Sequence, residues 1–488
     1  MTMRRRDALK RMGGLAAAAG MAKFLPGCGD NVGSDRPVGI TTYVYLMMEN
    51  RSYDHLFGAR SRFEGKGGDG FSESLTMPAL DGTPVAPYAP EGRDASCVLD
   101  PPHGWDAAHA SFNAGAMDHF LREHQLDHGA GSNEAMQYLT REQVPVSYAL
   151  ADAYTICDRW FCSVMGPTLP NRAYWHAATS FGLKVNNDVL NMFSAGVPIP
   201  TIYNRLEDKG VDWAYYYGNL AVVSLLGQEG PYKVDLGPND GTGHIRRFGD
   251  AQFGAGQFFK DAAAGTLPPV VYIDPAFGEN DDHPPVHPIL GQELIAAVYN
   301  ALANSPQWEN IMLVVTYDEN GGFFDHVAPP QTTDDTEERF GVAGFEQMGF
   351  RVPTLVIGPY AKQNYVSSVT YDHTSALKHL ADTFDLETLN PRMSAANNLM
   401  DCIDLERLAA GDPAPPIDIP LPDRFEWPTT AQRCMSSGGF RVAPDPITEW
   451  AEANPHGFRP EYDLRGQTND HKLIYDYVAR QRAARSRG

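Results

Sequence analysis

Ile311–Pro330 reads IMLVVTYDENGGFFDHVAPP. The run Ile311–Tyr317 has the apolar, β-branched composition of a strand buried on both faces. It passes directly into two acids, Asp318 and Glu319, then a Gly-Gly turn and the pair Asp325-His326. Ligands of open α/β sheets sit outside the carboxyl ends of the strands, and glycines there let the backbone turn sharply. Acids in that position suit a metal or phosphate site, although one such corner alone is more often a solvated loop.

Other segments change that balance. Ile40–Gly58, ITTYVYLMMENRSYDHLFG, is again an apolar run ending in an acid, Glu49, followed by Asn50. Pro269–Ile273 ends at Asp274, and Val352–Ile357 ends at Gly358-Pro359. Short apolar runs separated by helical stretches predict an α/β fold with a mostly parallel central sheet flanked by helices. Three acids at strand ends then share one edge. The expectation is a single domain over 38–488, with 181–265 as a cap or substrate-facing insertion, and Tyr215–Tyr217 is a candidate for its apolar rim.

The 488 residues include 43% hydrophobic and 11% aromatic positions, enough for a substantial core. Against 39 bases stand 61 acids, a formal charge of −22. That argues against a nucleic-acid or anionic-membrane partner held by long-range attraction. A bound phosphate would need local compensation by metal, histidine or backbone N–H groups.

Residues 1–37 read as an address. Arg4–Lys10 resembles a twin-arginine export signal with Arg5-Arg6 as the pair, and the stretch Met12–Met21 is too short to span a membrane. Leu25-Pro26-Gly27-Cys28 resembles a lipobox, so Cys28 is a candidate for lipidation and membrane anchoring. The expected location is periplasmic, on the cell envelope or secreted. Of the other five cysteines, Cys97, Cys157, Cys162, Cys402 and Cys434, Cys402 could staple to Cys434, and Cys157 lies close enough to Cys162 to pair if the two are not on one straight strand; the odd number suggests one free buried thiol. No C-x-x-C motif occurs. Gly65–Gly70 fits G-x-G-x-x-G but lacks the preceding strand and following helix of a dinucleotide site. A final amphipathic helix is expected over 472–485.

Gly166-Pro167-Thr168-Leu169-Pro170-Asn171-Arg172 precedes a helical stretch, Ala173–Ser180. A hydroxyl in such a turn lies near helix N–H groups, where the dipole favours an anion; it could equally be an ordinary cap. Threonine is a weak nucleophile unless a base or metal activates it. The oxygen-bearing side chains at two strand ends could hold that metal.

Taken together, Glu49–His55, Gly166–Arg172, Tyr317–Val327 and Asp372–Ser375 resemble the bacterial phosphoesterase family, in the same order along residues 40–385. That family includes phosphatidylcholine-type phospholipases C and acid phosphatases on an alkaline-phosphatase-like fold. The resemblance implies that Glu49, Asn50, Asp318, Glu319 and the Thr168 oxygen hold one divalent metal ion. It also makes Thr168 the nucleophile of a covalent phospho-enzyme. Hard oxygen ligands favour Ca²⁺, Mg²⁺ or Mn²⁺. Histidine suits the proton transfers: the resemblance points to His283 as leaving-group acid and His103 as a contact to phosphoryl oxygens, with His326 a further candidate. The expected substrate is a phosphate ester, foremost a phospholipid diester, and the alternative is a phosphomonoester. A third reading is a lipid-anchored binding protein with a dead site.

Overall fold

A computed structural model of the chain describes residues 39–91, 98–189, 200–225, 243–248, 256–278 and 280–420. The leader with Cys28, the cysteines Cys97 and Cys434, and the expected helix over 472–485 lie outside the described residues. The strands, in chain order, are β1 (Thr42–Met48), β2 (Met77–Pro78), β3 (Pro84–Val85), β4 (Thr155–Cys157), β5 (Trp213–Tyr217), β6 (Ile245–Arg247), β7 (Val270–Asp274), β8 (Ile311–Tyr317), β9 (Thr354–Ile357) and β10 (Tyr365–Ser367). β2 and β3 form a small hairpin pair, and the rest make one eight-stranded sheet in the order β10-β4-β9-β8-β1-β7-β5-β6.

The centre of the sheet is where the sequence is most uniformly apolar. β1 and β8 pair in parallel from Thr42↔Ile311 to Met48↔Tyr317, and every residue of both is buried. Each fully buried aliphatic side chain there stabilises the fold by about 1.5–3 kcal/mol. β7 joins β1 in parallel on the other side. In register, Glu49 and Asp318 therefore emerge side by side, with Asp274 one strand away.

Helices cover both faces. Pro288–Ala303 is buried almost all round and packs on Pro145–Ala153. It opens with Pro288 at its first position, where a missing N–H costs nothing, and the His287 Nδ1 accepts from the Ile289 N–H (3.1 Å). His373–Phe384 packs against Thr168–Ala177 and Ile202–Lys209. No helix among the described residues is long and apolar enough to cross a membrane.

Several expectations are corrected. β9 runs against both its neighbours, β8 and β4, so Gly358 belongs to the opposite edge of the sheet from Asp318. A Cβ at Gly358 would meet the carbonyl of Ile311, the first residue of β8, at 2.5 Å. Of the described residues within 181–265, Trp213–Tyr217 and Ile245–Arg247 are the strands β5 and β6 at one edge of the sheet. Tyr215–Tyr217 are wholly buried, because the hydroxyls of Tyr215 and Tyr216 find Asp274 and Asp261 inside the protein. Cys157 and Cys162 do not pair: Cys157 on β4 faces Cys402, Sγ to Sγ 3.8 Å, and all three thiols are buried and free. The helix expected from Ala173 starts at Thr168, since Pro167 and Pro170 fall at its cap and in its first turn, where no intrahelical N–H is needed.

Candidate active site

The ends of β1 and β8 are laced together by their own backbone. The Asp318 N–H donates to Met48 O (3.2 Å), and the Arg51 N–H donates to Glu319 O (3.1 Å). The Asn50 N–H donates to Asp318 Oδ1 (3.0 Å), and the Gly321 N–H to Glu319 Oε2 (2.7 Å). Asn50 takes a left-handed backbone (φ 60), as asparagine tolerates. Gly321 must be glycine: its φ is +61, and a Cβ would fall 2.3 Å from Asn50 O. Behind the strand end, the His373 ring accepts from Trp160 Nε1 (3.4 Å) and donates through Nε2 to Asp318 O (2.7 Å). Burial holds that imidazole neutral, with its pKa pulled down to about 4.

Glu49, Asn50, Asp318 and Glu319 are all fully buried. Within this set, Asn50 Oδ1 and Glu319 Oε1 receive no hydrogen bond. A buried oxygen left so costs about 1–3 kcal/mol, and a cation is the partner both lack. Burial, then the charge of Asp318, pushes the Glu319 carboxyl well above the usual carboxylate range; a bound cation would reverse that. The residues thus fit a hard divalent ion held by oxygen.

The helix that begins at Thr168 is tied to this edge through Arg172. The cap is Pro167, and no side chain caps the helix, so the Thr168 hydroxyl, at the first helical position, is not consumed as a cap. Asn171 shapes the turn: its Nδ2 donates to the carbonyls of Val164 (3.1 Å), Gly166 (2.9 Å) and Pro167 (3.2 Å), while its Oδ1 accepts from the Val164 N–H (3.0 Å). One turn after Thr168, on the same helix face, Arg172 points into the strand ends. It donates to Asp318 Oδ2 (3.3 Å), Asp274 Oδ1 (3.1 Å) and Met48 O (3.2 Å). Burial opposes the Arg172 charge, but the carboxylates of Asp318, Glu49 and Asp274 outweigh that and drive its pKa up.

His103 joins the group. Its Nδ1 donates to Pro101 O (2.7 Å), which leaves the Nε2 lone pair for the Asn50 Nδ2 donor at 3.2 Å, with Glu319 Oε1 at 3.7 Å. The ring of His283 lies edge-on to it, centroids 5.7 Å apart. Asp100 stands between the two imidazoles, 3.6 Å from His103 Nδ1 and 4.0 Å from His283 Nε2. These three form one of two carboxylate–histidine groups, among the described residues, close enough to share a cation.

His326 is not part of this cluster. It belongs to the second group, where its Nδ1 meets Asp54 Oδ2 (2.6 Å) and its Nε2 lies 3.4 Å from Asp69. Arg351 already supplies a cation there, to Asp325 Oδ1 (2.9 Å) and Asp54 Oδ1 (3.3 Å). Burial works against a charged His326, yet the hydrogen bond and charge of Asp54 raise its pKa from 6.5 to about 8. The folded value exceeds the unfolded one, so the stabilisation is complete below pH 6.5 and disappears as pH rises through about 8. Chemical denaturation across that window should show a loss of about 2 kcal/mol at most. His326→Gln should flatten the slope, and an unchanged slope in that variant would remove His326 as its source.

Sequence reasoning missed Arg172, Asp100 and the Asp274 pairing. The i, i+4 spacing of Thr168 and Arg172 was the available signal for the first. Asp274 and Asp318 were legible as acids at strand ends, but their pairing with Arg172 joins positions too far apart in sequence to be read.

The chain matches the phosphoesterase family model over residues 40–387. Phospholipase C A of Mycobacterium tuberculosis is 32% identical over 437 residues, 80% of this chain and 82% of that protein. Non-specific phospholipase C6 of Arabidopsis thaliana is 31% identical, covering 72% of this chain and 69% of its own. For the non-hemolytic phospholipase C of Burkholderia pseudomallei the figures are 31%, 78% and 61%. Among solved structures, a protein in the alkaline phosphatase superfamily from Vibrio parahaemolyticus aligns over 82% of this chain and 79% of its own, at 10% identity and a TM-score of 0.35. The motifs at the ends of β1 and β8 and at the Thr168 turn all fall inside the matched span, and the chain belongs to the phosphoesterase family, as a hydrolase of phosphoric ester bonds.

Proposed function

We propose that the protein is a metal-dependent phospholipase C-like enzyme that cleaves phosphodiesters through a phosphothreonine at Thr168. The observation that carries this reading is the pair of unpartnered buried oxygens, Asn50 Oδ1 and Glu319 Oε1, at the strand edge that Arg172 ties to the Thr168 helix. The phospholipase C names of the relatives support a diester substrate. Glu49, Asn50, Asp318, Glu319 and the Thr168 oxygen are the residues that would hold a divalent ion. Such an ion supplies positive charge that favours the ionised hydroxyl and the negative equatorial oxygens.

Thr168 Oγ attacks phosphorus in line and forms an O–P bond, while the bond to the glycerol oxygen breaks. His283 gives its proton to that departing oxygen. His103, held through Nδ1 by Pro101 O, turns its Nε2 edge to the phosphoryl oxygens, which it contacts as a donor once Nε2 carries a proton and lets go of Asn50. Water then attacks the phosphothreonine, His283 takes up the water proton, and Thr168 is released with the headgroup phosphate as product. Arg172 and Asn171 orient the parts without touching substrate. The leader over 1–37 supports export by the twin-arginine route, with Cys28 as a lipidation site.

The test uses p-nitrophenylphosphorylcholine and p-nitrophenyl phosphate in parallel. Chelation should abolish turnover and also lower the thermal midpoint by several degrees, because it restores two orphaned oxygens. In Glu319→Gln the midpoint should no longer respond to added metal. A midpoint indifferent to chelator in the wild type sinks the metal assignment; turnover of the monoester alone makes the enzyme a phosphatase.

A further inference from the structure

Lys184 is the feature of the site's surroundings that the reaction above does not use. Among the described residues it has no carboxylate partner, in a chain of formal charge −22. Its ammonium lies over the indole of Trp105, 4.2 Å from the ring centroid, with the Phe345 ring 6.0 Å away. Trp105 follows His103 by two positions. A Cβ on Gly166, two residues before Thr168, would meet Trp105 at 3.5 Å and Lys184 O at 3.8 Å. On the other side of Thr168, the Leu169 N–H donates to Asn186 Oδ1 (2.8 Å). The Lys184–Asn186 segment therefore brackets the nucleophile turn on both sides, and Trp105 bridges it to His103.

An aromatic face beside a phosphate site is a natural seat for a quaternary ammonium. Here the chain's own ammonium takes that seat. A second cation brought to the same ring would meet like charge at short range in a half-buried place, where screening is weak. An anionic group would find a cation with no competing acid.

Resting on the phosphoesterase reading of this site, we propose that Lys184, seated on Trp105 beside the Thr168 turn, selects esters whose retained substituent is anionic over those that carry a quaternary ammonium. The substituent concerned is the one that stays on phosphorus when the Thr168 bond forms, so it acts in both displacements.

The experiment keeps the leaving group constant. Soluble p-nitrophenyl diesters retaining a carboxyethyl, an ethyl or a choline group are compared by kcat/KM, which removes any effect of a lipid surface. The wild type should rank them carboxyethyl, ethyl, choline, with about tenfold between first and last, the factor that 1.4 kcal/mol represents. Lys184→Glu should invert the order, and Lys184→Arg should keep it. If Lys184→Glu does not fold, Lys184→Gln carries the same test, with the ranking expected to collapse. A wild type that prefers choline, or a ranking untouched by removal of the charge, overturns the proposal. Failure to hydrolyse any of the three and p-nitrophenyl phosphate would instead sink the phosphoesterase reading beneath it.

Discussion

Thr168→Ala should lower turnover by roughly 10⁴-fold or more while leaving the folded structure intact. The hydroxyl caps nothing, and the turn is held by Asn171 and the carbonyls it spans, so its removal costs little stability. That separation makes the experiment informative: a lost activity with an unchanged denaturation midpoint isolates the chemistry. Thr168→Ser keeps an attacking oxygen and should retain a measurable part of the rate. Acid quenching of the wild type during turnover should trap one phosphoryl group on the peptide that contains Thr168. An alanine variant with near-normal kcat removes the phosphothreonine and leaves a mechanism of direct attack by water.

The largest expected loss of stability comes from Arg172→Met. Arg172 is fully buried with Asp318 and Asp274, so the change strands two carboxylates in the interior. Breaking a buried pair from one side costs about 3–5 kcal/mol. Desolvation already holds the Asp274 carboxyl above its usual range, and Arg172 is the charge that pulls it back. Adding Asp274→Asn to Arg172→Met should therefore recover part of the loss, a non-additive result that a double-mutant cycle measures. Equal stability in wild type and Arg172→Met would show that the three groups do not act as an ionised network.

What could be read from the sequence follows from the same physics. β1, β7 and β8 are parallel strands covered on both faces, so they appear as uninterrupted apolar runs, and the acids that stop them are visible as stops. The direction of β9 is not visible, because an apolar run has no sign. Tyr215–Tyr217 misleads for a related reason: three successive tyrosines suit an exposed apolar rim until Asp274 and Asp261 are found beside the hydroxyls of Tyr215 and Tyr216. Arg172 was in plain view within a motif, but its role depends on Asp318, 146 positions away. Cys157 lies against Cys402 rather than the nearer Cys162, since pairing is decided by sheet order and not by spacing. Local chemistry was legible wherever a residue and its partner share an element.

The reversal of β9 also shapes how this enzyme can diversify. Because β9 runs opposite to β8, the chain between Tyr317 and Thr354 leaves the sheet and re-enters it at the same edge, where the hydroxyls of Thr316 and Thr354 meet at 2.7 Å. No crossover is required of it. Lengthening that connection at its exposed stretch, Glu337–Gly341, would add chain at this edge while the strands keep their register. Substrate range in such an architecture can drift or be grafted by exchanging one excursion of the chain, on a frame whose register stays the same.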